Sequence, residues 1–280
     1  MRSLLAWGRD WLGRRGVDSP RLDAELLVAH ALGCDRIRLY VDFDKPVGAE
    51  ELARVKPLFQ RRAQREPVAY ILGAKEFYGR SFRVRPGIFI PRPETELLVQ
   101  LALEALPDRP VRVLDLCTGS GAVAVTIAAE REDAQVDAVE LTPEAAACAR
   151  ENGEALAPGR VNVFAGDLFS ALPERTRYDA VVANPPYVPA ADERRLAPEI
   201  SAHEPRTALF AGDDGLSVLR RIVASAPGWL APGGLFATEI DPPQAPALVA
   251  LCGAAGLRGV RVVKDLAGLD RHVVALAAGP

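Results

Sequence analysis

The chain is poor in the residues that announce metal, disulfide or membrane chemistry. Its 280 residues include four cysteines, three histidines and one methionine. Cys34, Cys117, Cys148 and Cys252 are scattered without a C-x-x-C pair, so neither a structural metal cluster nor a disulfide framework is expected. Reduced thiols and a cytoplasmic location follow as the expectation. No run of 18 apolar residues occurs, which excludes a helical membrane span. No charged-then-apolar-then-small leader opens the sequence, so export is not expected either. Net charge is only −3. Residues 1–84 are net basic and residues 85–280 net acidic, which disfavours a nucleic-acid partner for the larger part.

What is present is a 49% hydrophobic chain long enough for two domains. Leu4, Leu5, Trp7, Trp11 and Leu12 recur at helical spacing. Asp18 or Ser19 can cap a second helix with Pro20 at its first position. A short helix is expected over Arg36–Val41 and a longer one from Ala49. Together they predict a small helical bundle. From Pro67 to Phe89 the pattern changes to short alternating segments around Phe77-Tyr78-Gly79-Arg80, the signature of a β-hairpin. Thr95, or the acid before it, is expected to cap a helix through Leu106. From Val111 strands and helices alternate, with strands at 111–116, 134–140, 160–165, 178–183, 233–240, 258–264 and 271–277. Helices are expected over 121–131, 142–156, 213–227 and 243–255. That alternation predicts a parallel, doubly wound α/β sheet.

Four strand ends carry chemistry. The first runs Asp115-Leu116-Cys117-Thr118-Gly119-Ser120-Gly121 into a helix. The pattern is neither G-x-G-x-x-G nor a phosphate-binding P-loop. Asp115 can accept from an ammonium, so the turn favours a nucleoside carrying an amino acid over a dinucleotide. Glu140 ends the next strand, where an acid can grip two ribose hydroxyls. Asp167 follows the third; its carboxylate can accept from an adenine amine while Leu168 contacts the ring. The ordered set describes a pocket for S-adenosylmethionine, although each acid alone also reads as a cap or a surface charge.

The fourth strand ends in Asn184-Pro185-Pro186-Tyr187. Proline fixes φ and lacks an N–H, and restricts the residue before it. The Asn184 side-chain oxygen and the Pro185 carbonyl can therefore accept the two hydrogens of an NH₂ group, with Tyr187 as an aromatic wall. A carboxamide nitrogen is a poor nucleophile. An enzyme must aim it at a methyl donor, and orientation is worth up to roughly 7–11 kcal/mol in principle.

These motifs resemble the HemK/PrmC family, the N5-glutamine methyltransferases that modify the Gly-Gly-Gln motif of class 1 peptide chain release factors. The resemblance extends to Ile90-Pro91-Arg92-Pro93-Glu94-Thr95-Glu96, Pro67-Val68-Ala69-Tyr70-Ile71-Leu72-Gly73, Glu76-Phe77-Tyr78-Gly79, His203-Glu204-Pro205, Gly212–Leu216 and Lys264–Arg271. It implies a Rossmann-like, seven-stranded methyltransferase domain over 96–280, preceded by a helical substrate-recognition domain over 1–74 and a β-hairpin linker over 75–95. It implies transfer from S-adenosylmethionine, leaving S-adenosylhomocysteine. Asp115, Cys117, Thr118, Gly119, Ser120, Gly121, Glu140, Asp167, Leu168 and Asn184 would hold the cofactor. Asn184, Pro185, Pro186 and Tyr187 would hold the glutamine, which enters between them and the Phe89–Glu96 segment. A monomeric enzyme contacting the release factor through its helical domain is expected, with His203 and Glu204 fixing loops. Two departures stand out: Cys117 where the family usually has Gly, and Glu140 where Asp is commoner. The rival readings are an adenine or other amine methyltransferase, which shares Asn-Pro-Pro-Tyr, and a partner-binding module that has lost the chemistry.

Overall fold

The computed structural model describes residues 1–173 and 176–279. Helical spacing in the first 72 residues becomes α1 (Arg2–Gly13), α2 (Pro20–Leu32), α3 (Arg36–Val41), α4 (Ala49–Ala63) and α5 (Val68–Leu72). Leu12, Leu27, Val28, Leu39, Val55 and Phe59 meet in their core. Strands β1 (Ala74–Phe77) and β2 (Arg80–Arg83) pair as a separate hairpin. Then follow α6 (Glu96–Ala105), β3 (Val111–Leu116), α7 (Ala122–Glu130), β4 (Ala134–Glu140), α8 (Pro143–Leu156), β5 (Val161–Ala165) and β6 (Tyr178–Ala183). The chain ends with α9 (Pro198–His203), α10 (Ser217–Ser225), β7 (Leu230–Glu239), α11 (Ala245–Ala254), β8 (Arg258–Lys264) and β9 (Asp270–Leu276).

Two units result. One comprises Met1–Ala74 together with Ala197–His203; the other comprises Lys75–Leu196 and the residues from Glu204 onward. The excursion of 197–203 into the helical unit has no counterpart in the sequence pattern. Charge holds it there: buried Arg62 donates to Asp23 at 2.7 Å and to Glu199 at 2.8 Å, and Arg65 reaches Glu199 at 2.7 Å.

The second unit is built on one seven-stranded sheet in the order β5-β4-β3-β6-β7-β9-β8. Strands β3 to β7 run parallel, and β9 is antiparallel to both its neighbours. Alternate residues face opposite sides of a strand. Val113 and Val182 therefore join the core under α6 and α7, while Leu114 and Val181 join the core under α10 and α11. Both faces are covered, as near-continuous apolar parallel strands require. The chain leaves β3 toward β4 and β5, then returns to start β6 on the other side of β3. The strand order thus reverses between β3 and β6, and a crevice opens there at their carboxyl ends. Two expected helices differ in detail. The one expected over 213–227 begins only at Ser217, because Gly212 and Gly215 take positive φ and hold the preceding residues in a turn. Thr95 caps no helix with its side chain.

Candidate active site

Leu116 of β3 pairs with Ala183 of β6, so Cys117 and Asn184 leave the sheet side by side at the crevice. A cleft of about 270 Å³ opens there. Its apolar walls include Phe89, Leu141, Leu168, Phe210 and Val218, and its polar lining includes Glu140, Asp167, Asn184 and Arg221. A smaller recess adjoins it, lined by Thr95, Asp115, Thr118 and Ser120, and shares Phe89, Cys117, Gly119 and Asn184 with the cleft.

The turn after β3 is held by two of the three acids predicted to serve the cofactor. Asp115 is 1% exposed and accepts from the Thr118 hydroxyl at 2.5 Å and the Ala124 N–H at 3.1 Å. Burial pushes its carboxyl up to about 7. One Glu140 oxygen accepts the Gly119 N–H at 2.9 Å; the other accepts the Thr142 N–H at 3.1 Å. Cys117 sits at φ +60, a left-handed conformation costly for any side chain but glycine's. That geometry is the physical reason a glycine suits this position, and burial pushes the Cys117 thiol far up. Gly121 does not line the cleft. It caps α7 at φ +83, where a Cβ would stand 3.2 Å from Ala149 of α8, so it serves close helix packing. Asp167 lines the cleft but is already paired, accepting from Arg221 at 2.6 Å. Leu168 takes φ +50 beside it.

The loop after β6 is braced on several sides. Val188 and Phe210 form an isolated parallel bridge. Gln244 donates to the Tyr187 carbonyl at 2.9 Å. Gly215 lets that contact exist: at φ +71 its Cβ would lie 2.1 Å from the Tyr187 carbonyl oxygen. Asn184 and Pro186 face the cleft, whereas Pro185 is buried. Tyr187 lines neither the cleft nor the recess. Its ring packs against the core, and its hydroxyl donates to Glu239 at 3.0 Å.

Glu239 and Arg221 carried no local signal. Glu239 ends β7, is 1% exposed, and also accepts from the Thr95 hydroxyl at 2.6 Å; burial raises its carboxyl. Thr95 Oγ1 in turn accepts from Asn184 Nδ2 at 2.9 Å. Buried Glu204 takes Arg92 and the Ile90 N–H (3.2 Å), and the Arg92 guanidinium lies 4.8 Å over the Phe89 ring. Glu204 thus fixes the Phe89–Arg92 wall of the site. The signal for Thr95 and Arg92 was present in the proline-framed segment, but not for Glu239 or Arg221, whose partners lie 144 and 54 residues away.

A seven-stranded sheet of this order, with a glycine turn, strand-end acids and Asn-Pro-Pro-Tyr at the switch point, defines a Rossmann-like methyltransferase. Residues 3–73 match the PrmC N-terminal domain family, and residues 81–213 match the methyltransferase small domain family. Release factor glutamine methyltransferase from Geobacter sulfurreducens is 44% identical over 273 residues, covering 98% of this chain and 95% of its own. The Deinococcus radiodurans protein of that name is 41% identical, covering 100% of this chain and 99% of its own. The chain belongs to the release factor glutamine methyltransferase family. Among solved structures, the Thermus thermophilus 16S rRNA N2 G1207 methyltransferase, in complex with AdoMet and guanosine, superposes with a TM-score of 0.54. It is 24% identical, over 74% of this chain and 50% of its own, and shares the fold.

Proposed function

We propose that this chain transfers a methyl group from S-adenosylmethionine to the side-chain amide nitrogen (N5) of the glutamine in the Gly-Gly-Gln motif of class 1 release factors. The observation that carries this reading is the placement of Asn184 in the wall shared by the cleft and its adjoining recess. A donor lying in the one meets an amide held in the other at that residue. The lining suits the donor. Leu141, Leu168 and Val218 offer apolar surface to an adenine ring, Asp167 offers an acceptor to its amine, and Glu140 stands at a strand end suited to ribose hydroxyls. When bound, S-adenosylmethionine supplies an electrophilic methyl on a sulfonium.

The chain's own residues then bind and orient. The Asn184 side-chain oxygen and the Pro185 carbonyl accept the two hydrogens of the glutamine NH₂, which turns the nitrogen lone pair toward the methyl. S-adenosylmethionine held by these residues would supply the methyl to that nitrogen, its sulfur keeping the electron pair of the carbon–sulfur bond. The methylated nitrogen sheds one proton to water, so no strong general base is required. Phe89, held by Arg92 and Glu204, lines both the cleft and the recess. Residues 1–74 serve as the release-factor recognition domain and 75–95 as a linker, in a cytoplasmic monomer that needs no nucleic acid.

The test is labelled methyl transfer to purified release factor, to its Gly-Gly-Gln→Gly-Gly-Ala variant, and to DNA and RNA. Label in the first alone is expected. Equal label in the variant, or label in nucleic acid, contradicts the reading.

A further inference from the structure

The side chain that decides how Asn184 points does not touch the cleft. Glu239 ends β7 next to β6, with its neighbour Thr238 opposite Ala183. Its two oxygens are occupied by hydroxyls, Oε2 by Thr95 and Oε1 by Tyr187. Across β9, His272 is its register partner, fully buried, with Nε2 3.8 Å from Oε2.

The contacts run in one direction: Thr95 Oγ1 donates to Glu239 Oε2 and accepts from Asn184 Nδ2. A threonine hydroxyl has one hydrogen. With that hydrogen on Glu239, Thr95 Oγ1 offers only a lone pair toward Asn184. The group it meets, at 2.9 Å, must then be the Asn184 NH₂. The amide oxygen is left facing the other way, and among the described residues no donor engages it. An asparagine amide alone has no such preference. Turning it by half a rotation exchanges oxygen and nitrogen with little change in shape. The turned amide would present N–H toward a substrate NH₂, donor against donor.

We infer that Thr95 and Glu239 act as a polarity relay that locks the Asn184 amide with its oxygen toward the substrate, so that both are positioning residues for methyl transfer. This rests on the proposed role of Asn184 as acceptor for a glutamine amide. Glu239 sets the direction, Thr95 transmits it, and neither touches the reacting atoms. Tyr187 satisfies the second carboxylate oxygen, which leaves Glu239 no reason to turn away from Thr95.

Three substitutions separate the relay from mere packing. Thr95→Val keeps the shape and removes the hydroxyl. Thr95→Ser keeps the hydroxyl. Glu239→Gln keeps the shape but can donate, which frees Thr95 to donate to the Asn184 oxygen instead. With release factor as substrate, Thr95→Val and Glu239→Gln are expected to lose about 10²-fold in kcat, as misorientation at a reacting centre does. Their S-adenosylmethionine affinity by calorimetry should stay unchanged, and Thr95→Ser should recover most of the rate. The second readout needs no turnover: hydrogen exchange of the Asn184 side-chain NH₂ by NMR, assigned through its loss in Asn184→Asp. Slow exchange in the wild type and Thr95→Ser, and fast exchange in Thr95→Val, support the relay. Exchange unaltered in Thr95→Val overturns it, as does an undiminished kcat in Thr95→Val and Glu239→Gln. A wild type that leaves release factor unmethylated defeats the proposed substrate instead, and the exchange experiment still decides the relay.

Discussion

At the carboxyl ends of β3, β4 and β5, each acid predicted to face a ligand is already met by the protein. Asp115 holds Thr118 and Ala124, Glu140 holds Gly119 and Thr142, and Asp167 holds Arg221. At the end of β6 the arrangement is reversed. Asn184 spends its nitrogen on Thr95, and among the described residues no donor engages its oxygen. The first region is a set of acceptors whose partners a ligand must share or replace. The second is a single acceptor held ready, which is how preorganised polar groups lower a barrier without reorganising during the reaction. Tolerance therefore differs: the acid side can lose one contact and keep its shape, while the amide side depends on the bracing of one loop.

The bracing of that loop is the most sensitive point. Gly215→Ala places a Cβ 2.1 Å from the Tyr187 carbonyl at φ +71. It should cost on the order of 3 kcal/mol in urea unfolding, through overlap and backbone strain together. Wild-type stability would show that the loop yields freely. On the acid side, Glu140→Ala should weaken S-adenosylmethionine binding by about 10–100-fold, the worth of one charged hydrogen bond or slightly more. Unchanged affinity by calorimetry would remove Glu140 from the cofactor site.

A smaller effect concerns Asp115. Its folded carboxyl is raised to about 7 from an ordinary 3.8. Between those values the folded chain keeps a proton that the unfolded chain releases. Its contribution to stability is full below about pH 4 and is lost as pH rises toward 7. Asp115→Asn can accept both existing hydrogen bonds through its oxygen and cannot ionise. Across that window the wild type should lose on the order of 1–3 kcal/mol relative to the variant. Parallel stability curves would contradict the raised carboxyl. Smallest of all, Cys117→Gly relieves the φ of +60. It should gain up to about 1 kcal/mol, the steric relief less the entropy cost of glycine. A clear loss of stability would mean that thiol packing outweighs strain.

Much of the sheet was legible in the sequence because parallel strands buried on both faces are apolar throughout, as Val181, Val182 and Ala183 are. The glycine turn and Asn184–Tyr187 were legible for a similar reason: backbone chemistry is written locally. The relay was not. Thr95 before an apolar helix reads as a cap, and only the arrival of β7 brings Glu239 to its hydroxyl, from 144 residues away. Tyr187 reads as a wall until the same carboxylate claims its hydroxyl. Arg221 on Asp167 and Gln244 on Tyr187 likewise depend on tertiary pairing. The capture of 197–203 by the helical unit through Glu199 is legible in neither periodicity nor motif.

In the proposed reaction the Asn184 amide aims the reacting nitrogen while the acids hold the donor. Asn184→Ala, followed by labelled methyl transfer to release factor and by calorimetry with S-adenosylmethionine, tests it directly. A loss of transfer of about 10²–10³-fold with nearly normal cofactor affinity is expected. Near-normal turnover in that variant would contradict it.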